Sequence, residues 1–249
     1  MALTIGMFWF GRPWTKLEQS ATLSWIAQGY NVKVFTYGKV ENIPNNPNIS
    51  MEDARDVWDI DPSNIRKHVK LHSYAPFADI FCYKMLAAGK GNIAKAAPDQ
   101  YCLKPLPDVP YVFGKHARSM IADVVIKAPK GILLDTLEKM AQDYENDYDT
   151  VAWGLTGPVL MKVAVTNCGL LDYALPESAF CPIDPKFKLF PFTNIQGDDT
   201  LDELDKDERV LGIHIYATGV LNSFGGDTRI FEEPIPGTLY HSLLERFLC

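Results

Sequence analysis

The sequence lacks the cysteine pattern of a disulfide or zinc framework. Its 249 residues contain five cysteines, an odd number without short paired spacings: Cys82, Cys102, Cys168, Cys181 and Cys249. Such a set predicts neither a set of disulfides nor a zinc knuckle. A chain of this length buries roughly three-quarters of the surface that its unfolded form exposes, so a hydrophobic core alone is expected to stabilise it.

Long apolar runs are also missing. No stretch approaches the ~20 consecutive apolar residues that a membrane-spanning helix requires. The first apolar run, residues 3–10, has no basic segment before it and therefore does not resemble a secretory signal. We therefore expect a soluble cytoplasmic protein without a transmembrane segment.

Positive charge is in short supply. Lysine and arginine number 24 against 31 acidic residues, which gives a net charge of −7. An acidic surface repels phosphate backbones, so nucleic acids and anionic membranes are disfavoured as partners. Residues 198–208 hold seven acids and one lysine. This run predicts a solvated loop or helix face, with a partner-binding segment as the alternative.

The two common glycine-rich phosphate loops are absent. The turn after the first apolar run, Phe10-Gly11-Arg12-Pro13-Trp14, lacks the Gly-x-Gly-x-x-Gly pattern. The chain contains no Walker lysine loop, and no Gly-x-Ser-x-Gly elbow of the α/β-hydrolases. A nucleotide bound by this protein would have to be held by other groups.

Apolar periodicity nevertheless predicts strands that alternate with helices. Strands are predicted at residues 3–10, 31–37, 109–114, 121–128 and 211–216, and helices at 16–28, 73–88, 132–144, 156–167 and 239–248. Residues 38–50, rich in Asn and Pro, are predicted as a loop, and residues 180–192 as an extended, proline-interrupted segment. This alternation predicts an α/β fold, a Rossmann-like mixed sheet flanked by helices.

One acid stands out on the predicted helix 73–88. Most of the circumference of this helix is apolar, which is typical of a buried helix. Asp79 then needs partners, because an unpaired buried carboxylate is costly. A structural aspartate that caps a nearby loop and a functional carboxylate are both open on this ground alone.

The residues around Asp79 resemble a known family. Residues 73–86 (SYAPFADIFCYKML), Gly89 and Gly91, and then residues 99–105 (DQYCLKP) are similar to the core of the DXD-motif, sugar-binding-region glycosyltransferases. That family includes yeast-type α-mannosyltransferases, α-1,4-galactosyltransferases and capsular polysaccharide enzymes. Further segments agree in order along most of the chain, at residues 8–11, 17–18, 24–25, 34–38, 153–158, 180–183 and 212–214.

The resemblance implies a glycosyltransferase A-type fold in a single domain, residues 1–249. Residues 1–115 would form the nucleotide-sugar half and residues 116–249 the acceptor half. The implied reaction transfers a sugar from a nucleotide diphosphate sugar, with UDP favoured, to a glycan or other hydroxyl acceptor with retention, in polysaccharide biosynthesis. The implied cofactor is Mn²⁺ or Mg²⁺, since a hard cation held by carboxylates neutralises the leaving diphosphate.

Residue roles are carried over from the matching positions. The implied donor-binding residues are Phe8, Trp9, Phe10, Gly11, Asp79, Tyr83, Ala97 and Asp99. The implied catalytic residues are Asp79 and Asp99, and the implied metal ligands are Asp99 and His214. The implied acceptor-side residues are Trp153, Thr156 and Gly157.

Two positions depart from the family pattern. Alignment on Cys-Leu-Lys-Pro places the two acids of the motif at positions 97 and 99, and position 97 is Ala97. Cys82 stands where the family usually has an arginine, which would face the donor as a thiol cannot.

Three hypotheses follow from these departures. A metal could bind through Asp99, the diphosphate and His214. Catalysis could instead be metal-independent, with a lysine supplying the charge: Lys84, Lys95 or Lys104. Or the protein is a degenerate relative that binds a sugar nucleotide or glycan without turnover.

Overall fold

The secondary structure was obtained from a computed structural model that describes residues 3–89 and 92–248, apart from the side chain of Arg118. In chain order the strands are β1 (Thr4–Phe8), β2 (Asn31–Thr36), β3 (Ile49–Asp53), β4 (Ile93–Ala96), β5 (Gln100–Cys102), β6 (Lys115–His116), β7 (Met120–Ile121), β8 (Val125–Ile126) and β9 (Gly212–His214). The helices are α1 (Lys16–Ala27), α2 (Ala75–Ala88), α3 (Ile132–Gln142), α4 (Leu160–Asn167), α5 (Phe190–Thr193), α6 (Gly197–Lys206), α7 (Ala217–Ser223), α8 (Arg229–Glu232) and α9 (Leu239–Leu248).

Five of these strands form the central sheet, in the order β3-β2-β1-β4-β8. β1 pairs in parallel with β2 on one side and with β4 on the other, β3 extends the parallel part, and β8 is antiparallel. The chain thus leaves β1 toward one edge and later returns to its other side at β4. Such a switch in strand order opens a crevice at the carboxyl ends of the two strands, where ligands bind in open α/β sheets.

Helices cover both faces of this sheet, as the sequence predicts for an α/β fold. α2 and α3 pack on one face over an aromatic core in which the ring centres of Phe8 and Phe81 are 4.3 Å apart. On the other face, the indole of Trp25 in α1 donates a hydrogen bond to the carbonyl of Gln100 at 2.8 Å. The central sheet therefore lies between two buried apolar layers.

A second, two-stranded sheet joins the late part of the chain to the region after β4. β5 pairs antiparallel with β9, and Gln100 lies opposite His214. Behind this pair, α9 packs against α1 and α6. The pairing places the end of β9 next to the segment that links β4 to β5.

Several sequence predictions are wrong in detail. Residues 109–114 form no strand but only isolated bridges at Val112 and Gly114. Residues 180–192 are not extended, because they contain a 3-10 turn at Pro185–Phe187 and the start of α5, where prolines at the first positions favour a helical turn. The helix predicted from residue 156 begins with an irregular turn at Leu155–Val159, and regular α4 follows it.

Other predictions hold. The acidic run lies mainly on the exposed side of α6, with Leu201 as its buried apolar contact. The predicted helix 16–28 is α1, and Gly29 after it has the positive φ, +85°, of a residue that ends a helix. Of the two glycines in the family resemblance, Gly91 lies outside the described residues. In the part of the chain that the structure describes, no helix is long and apolar enough to cross a membrane.

A glycine in β9 permits the second sheet to form. A Cβ added to Gly212 would lie 2.2 Å from the carbonyl oxygen of Tyr101, which is backbone and cannot move aside. We expect Gly212→Ala to cost about 2 kcal/mol or more of unfolding free energy, as overpacking of a close contact does. Urea denaturation measures it. Gly38→Ala is the control, since a Cβ there meets nothing within 4 Å. Equal stability of both variants would contradict the prediction.

Candidate functional site

Two carboxyl groups and an ammonium group meet near the carboxyl end of β4, the strand that pairs with β1. Asp79 comes from α2, Lys95 from β4, and Asp123 from the loop between β7 and β8. Lys95 Nζ donates to Asp123 Oδ2 at 2.9 Å and lies 4.0 Å from Asp79 Oδ1. The side chains of these three residues are only 16%, 6% and 15% exposed, in chain order. We call them the lysine cluster.

Burial decides how the lysine cluster is charged. Burial, together with the neighbouring charge of Asp123, raises the pKa of Asp79 well above its ordinary value. Burial alone would also raise the pKa of Asp123, but Lys95 and the hydrogen bonds from Asp79 and Lys95 lower it to about 2. The two acids therefore share one proton, held on Asp79, and the remaining negative charge faces the lysine.

The irregular turn Leu155–Val159 closes the lysine cluster from the other side. The Thr156 hydroxyl donates to Asp79 Oδ2 at 2.9 Å. A Cβ on Gly157 would lie 2.9 Å from the same oxygen and 3.3 Å from Asp123 Oδ1, so only glycine permits this approach. The carbonyl of Gly157 accepts a hydrogen bond from the buried Tyr83 hydroxyl at 3.4 Å. The Thr-Gly-Pro segment thus holds both carboxyl groups.

A second ion pair lies just beyond β4. Because Gln100 is paired with His214, the residue before it, Asp99, reaches the imidazole: Asp99 Oδ2 is 3.3 Å from His214 Nε2. The same oxygen accepts a hydrogen bond from the backbone N–H of Ala217, the first residue of α7, at 2.8 Å. We call Asp99, His214 and Ala217 the histidine latch.

The latch is ionised. Burial alone would lower the pKa of His214, but the charge and hydrogen bond of Asp99, with a smaller contribution from Cys181, raise it to about 10. Burial acts to raise the pKa of Asp99, yet His214 and the Ala217 N–H lower it overall. At neutral pH, His214 is therefore an imidazolium and Asp99 a carboxylate.

His116 and Tyr216 lie beside the latch. The His116 ring is stacked on the Tyr216 ring at 6.0 Å between centres, and Tyr216 lies 4.2 Å from the His214 ring. Burial and the charge of His214 lower the pKa of His116, while Asp123 acts in the opposite direction. The ring contacts through Tyr216 therefore add His116 to the latch. The Nδ1 of His116 is buried and has no hydrogen-bond partner among the described residues.

Aromatic residues follow the carboxyl end of β1. The Trp9 indole donates to the carbonyl of Arg12 at 2.7 Å, and the Arg12 guanidinium lies 4.8 Å from the centre of the Trp9 ring. Phe10 meets Tyr74 edge-on at 4.9 Å. Gly11 has a φ of +111°, and a Cβ there would lie 3.1 Å from the Tyr74 ring. This segment forms a narrow aromatic edge beside the N-terminus of α2.

The remaining predicted site residues are more scattered. Phe8 is 4% exposed and packs inside the aromatic core, and Tyr83 is fully buried. The backbone N–H of Ala97 donates a hydrogen bond to the carbonyl of Val124, the residue after Asp123, at 2.8 Å. Trp153 is 45% exposed and packs edge-on against His68 at 5.5 Å. Trp153 thus lies on the surface, while Thr156 reaches the lysine cluster.

Two residues of the site, Asp123 and His116, were not predicted from the sequence. Asp123 lies within residues 121–128, which were predicted as one strand, and His116 lies in a strand of two residues, too short to show a periodic pattern. The available signal was Asp123 itself, a single acid inside the apolar segment 121–126. An isolated acid in such a segment needs a buried partner, just as Asp79 does.

The groups of the site do not match a divalent-cation site. Mg²⁺ prefers octahedral coordination by oxygen, supplied partly by carboxylates. Position 97 carries a methyl group, and Asp99 Oδ2 already accepts a hydrogen bond from the Ala217 N–H and is paired with His214 Nε2 at 3.3 Å. Among residues 3–89 and 92–248, no group of three or more His, Cys, Asp or Glu side chains is placed to hold a metal ion.

Comparison with known proteins gives structural likeness but no match in sequence. The sequence matches no protein-family model and no curated protein. Among solved structures, the fold is similar to the PaToxG glycosyltransferase, with a TM-score of 0.45 and 14% sequence identity, over 68% of this chain and 72% of that chain. This likeness is one of fold only.

The unequal charge of the two acids gives a first prediction for the site. Asp79→Asn should leave the unfolding free energy at neutral pH within about 1 kcal/mol, since an amide replaces a neutral carboxyl group of the same shape. Asp123→Asn should cost about 3 kcal/mol, because it leaves the buried Lys95 without its partner. Urea denaturation of both variants checks this.

The pH dependence of stability should also differ between Asp79→Asn and the wild type. The sign of this difference follows from the raised pKa of Asp79. A raised carboxyl pKa stabilises the fold at low pH, and this contribution is lost as pH rises through the folded-state value. Asp79→Asn has no such group and should gain stability relative to the wild type as pH increases. The prediction fails if Asp79→Asn is the more damaging variant, or if the difference shrinks with rising pH.

The ionised latch gives a second prediction. NMR titration should place the pKa of His214 near 10, and its stabilising contribution should be complete below 6.5 and disappear as pH rises through about 10. In Asp99→Asn the pKa should fall below neutral, because burial then acts without the carboxylate. Asp172→Asn, on an exposed turn, is the matched control and should change nothing. If the pKa of His214 were the same in Asp99→Asn as in the wild type, the ion pair between Asp99 and His214 would be contradicted.

Proposed function

We propose that this protein is a glycosyltransferase that transfers a sugar from a nucleotide diphosphate sugar to a hydroxyl group of a glycan or small acceptor. A UDP-sugar is the favoured donor, and the sugar is transferred with retention of its anomeric configuration. Donor preference and retention come from the sequence resemblance, and the site geometry supports the general activity.

One observation carries the proposal. Segments far apart in the sequence, each selected by the family resemblance, meet around the crevice between β1 and β4. Asp79 contacts Thr156 across 77 positions of the chain, and Asp99 contacts His214. The crevice at a change of strand order is where α/β sheets bind nucleotides. Convergence at that place is what a donor-sugar site requires.

The side chains at this crevice suit a sugar. The ionised carboxylate of Asp123 accepts hydrogen bonds, the ammonium of Lys95 donates them, and the Thr156 hydroxyl can do both. Their mutual contacts hold them in place before a ligand arrives, which lowers the cost of ordering them on binding. The aromatic edge formed by Trp9 and Phe10 offers apolar surface nearby for the base or the sugar ring.

The proposed reaction breaks the bond between the anomeric carbon and the diphosphate oxygen and forms a bond to the acceptor oxygen. The electron pair leaves with the diphosphate, and the acceptor's proton passes to a phosphate oxygen or to solvent. Thr156 and Gly157 are proposed to border the acceptor, with Trp153 further out on the surface. Polysaccharide biosynthesis, a cytoplasmic location and the division into residues 1–115 and 116–249 stay predictions.

A second candidate function is a binding domain without turnover. It is favoured by a specific observation: Asp99, the one acid left of the DXD motif, is engaged in the latch, and Ala97 replaces the other. Such a protein would hold the donor or a glycan in the same crevice without releasing the diphosphate.

The proposal is tested by titrating UDP-, GDP- and dTDP-sugars into the protein by calorimetry and by following diphosphate release. We expect a UDP-sugar to bind and UDP to be released slowly. Thr156→Val should weaken donor binding about tenfold, about 1.4 kcal/mol, because Asp79 loses its hydroxyl partner. Thr166→Val is the control, since this exposed threonine only donates to a carbonyl of its own helix.

The two candidate functions give different results in these assays. Binding of a sugar nucleotide with diphosphate release supports the transferase, and binding without release supports the non-catalytic domain. If no sugar nucleotide binds under any condition, both functions are wrong.

A further inference from the structure

The charged groups of the site are all compensated within the chain. Asp123 faces Lys95, Asp79 hydrogen-bonds to Thr156, and Asp99 is held by His214 and Ala217. We propose that this site binds its nucleotide donor without a divalent cation, because Lys95 already compensates the carboxylate that such a cation would otherwise have to neutralise. The inference rests on the proposed function and concerns the cofactor of the same site.

Three lysines were candidates to supply positive charge in place of a metal, and their contacts favour one of them. Lys84 is paired with Glu145 at 2.6 Å and lies over the Trp58 ring. Lys104 donates to three backbone carbonyl groups, the closest at 2.6 Å. Only Lys95 of these three contacts the carboxyl groups of the site, and it extends from the strand that leads directly to Ala97 and Asp99.

The substitution at Cys82 agrees with this choice. The Cys82 thiol is 3% exposed, and Cys82 follows Asp79 by three residues on α2, so the two side chains are neighbours on the helix surface. An arginine at position 82, as the family resemblance implies, would place a second cation beside the Lys95 ammonium. The smaller thiol does not compete with Lys95 for the Asp123 carboxylate. The cation of this site therefore comes from β4 and not from α2.

The two implied metal ligands, Asp99 and His214, are already paired with each other in the latch. Asp99 Oδ2 already accepts from a backbone N–H at 2.8 Å, and the imidazole nitrogen nearest to it is 3.3 Å away. Recruiting Asp99 to a metal would break the contact that holds the first residue of α7. Coordination would thus cost interactions that the protein already has, and no carboxylate of the site is left unpaired to offset that cost.

Uncompensated acids are what make a divalent cation necessary in such a site. A donor diphosphate that approaches two free carboxylates is repelled unless a metal lies between them. Here the diphosphate meets carboxylates that are already paired inside the protein, Asp123 with Lys95 at 2.9 Å and Asp99 with His214 at 3.3 Å. A divalent ion added to the lysine cluster would instead meet a like charge.

The first test is calorimetric titration of UDP into the intact protein, once with EDTA and once with excess MnCl₂. We expect dissociation constants that agree within a factor of about two. Tightening by Mn²⁺ of about tenfold or more would overturn the metal-independent site while leaving the proposed function intact. Absence of UDP binding in both conditions would instead count against the proposed function itself, so the two failures are distinguishable.

The second test compares a single variant at Lys95 with a double variant at Lys95 and Asp123. Lys95→Met leaves Asp123 uncompensated, so UDP binding in EDTA should weaken about tenfold, and Mn²⁺ should restore part of it. Lys95→Met/Asp123→Asn removes both charges and should bind UDP in EDTA as the wild type does. This double variant also keeps the test valid if the single variant does not fold, because removing both partners of a buried pair costs little stability.

Lys84→Met is the matched control, since it removes a lysine of α2 that is paired outside the site. It should leave the affinity for UDP unchanged. A Lys95→Met protein that folds and binds UDP as well as the wild type in EDTA would overturn the assignment. So would a double variant that binds no better than the single one.

Discussion

A buried ammonium group organises the centre of this protein. Lys95 extends from the middle of the sheet and is only 5% exposed, so its charge must be met by a carboxylate inside the fold. Asp123 meets it and is ionised for that reason, which leaves Asp79 to keep its proton. A neutral Asp79 can lie against the glycine turn at Gly157, because no second negative charge has to be hydrated there.

The same constraint explains why distant elements converge. Lys95 joins β4 to the loop between β7 and β8, Asp79 brings in α2, and Thr156 adds the turn before α4. On the other side of Ala97, Asp99 links β4 to β9 and to the start of α7 through the latch. The two ion pairs thus tie both sheets to one crevice and hold its polar groups in fixed positions before any ligand binds, as electrostatic preorganisation requires.

Sequence patterns predicted the fold class well where periodicity was strong. The buried strand β1, the amphipathic α3 and the alternation of strands and helices were all legible, because each element is long enough to repeat its pattern. The strands β4, β5 and β6 were not predicted, since two to four residues show little periodicity, and the strand predicted at residues 121–128 is reduced to β8 and the last residue of β7. The proline-rich segment around Pro185 was predicted as extended, whereas prolines at the first positions of helical turns begin such turns there.

Some residues of the candidate site could likewise be predicted from the sequence and others could not. Resemblance to the glycosyltransferase family identified Asp79, Thr156, Asp99 and His214 in the sequence, and the structure places them in two contacting pairs. It could not identify Asp123, nor choose among Lys84, Lys95 and Lys104. Those choices depend on which side chains share a buried volume, and that volume is formed by a helix, a strand and two loops that are distant in sequence.

The amino-acid sequence by itself determined that this is an α/β protein, and it singled out Asp79, Asp99 and His214 as candidate polar residues. Residue types and their order carry that information directly. Tertiary structure alone decided the ionisation of the acids and the use of Asp99 in a latch. Both depend on distances of a few ångströms in a poorly hydrated interior, where one neighbouring charge determines whether a carboxyl group keeps its proton.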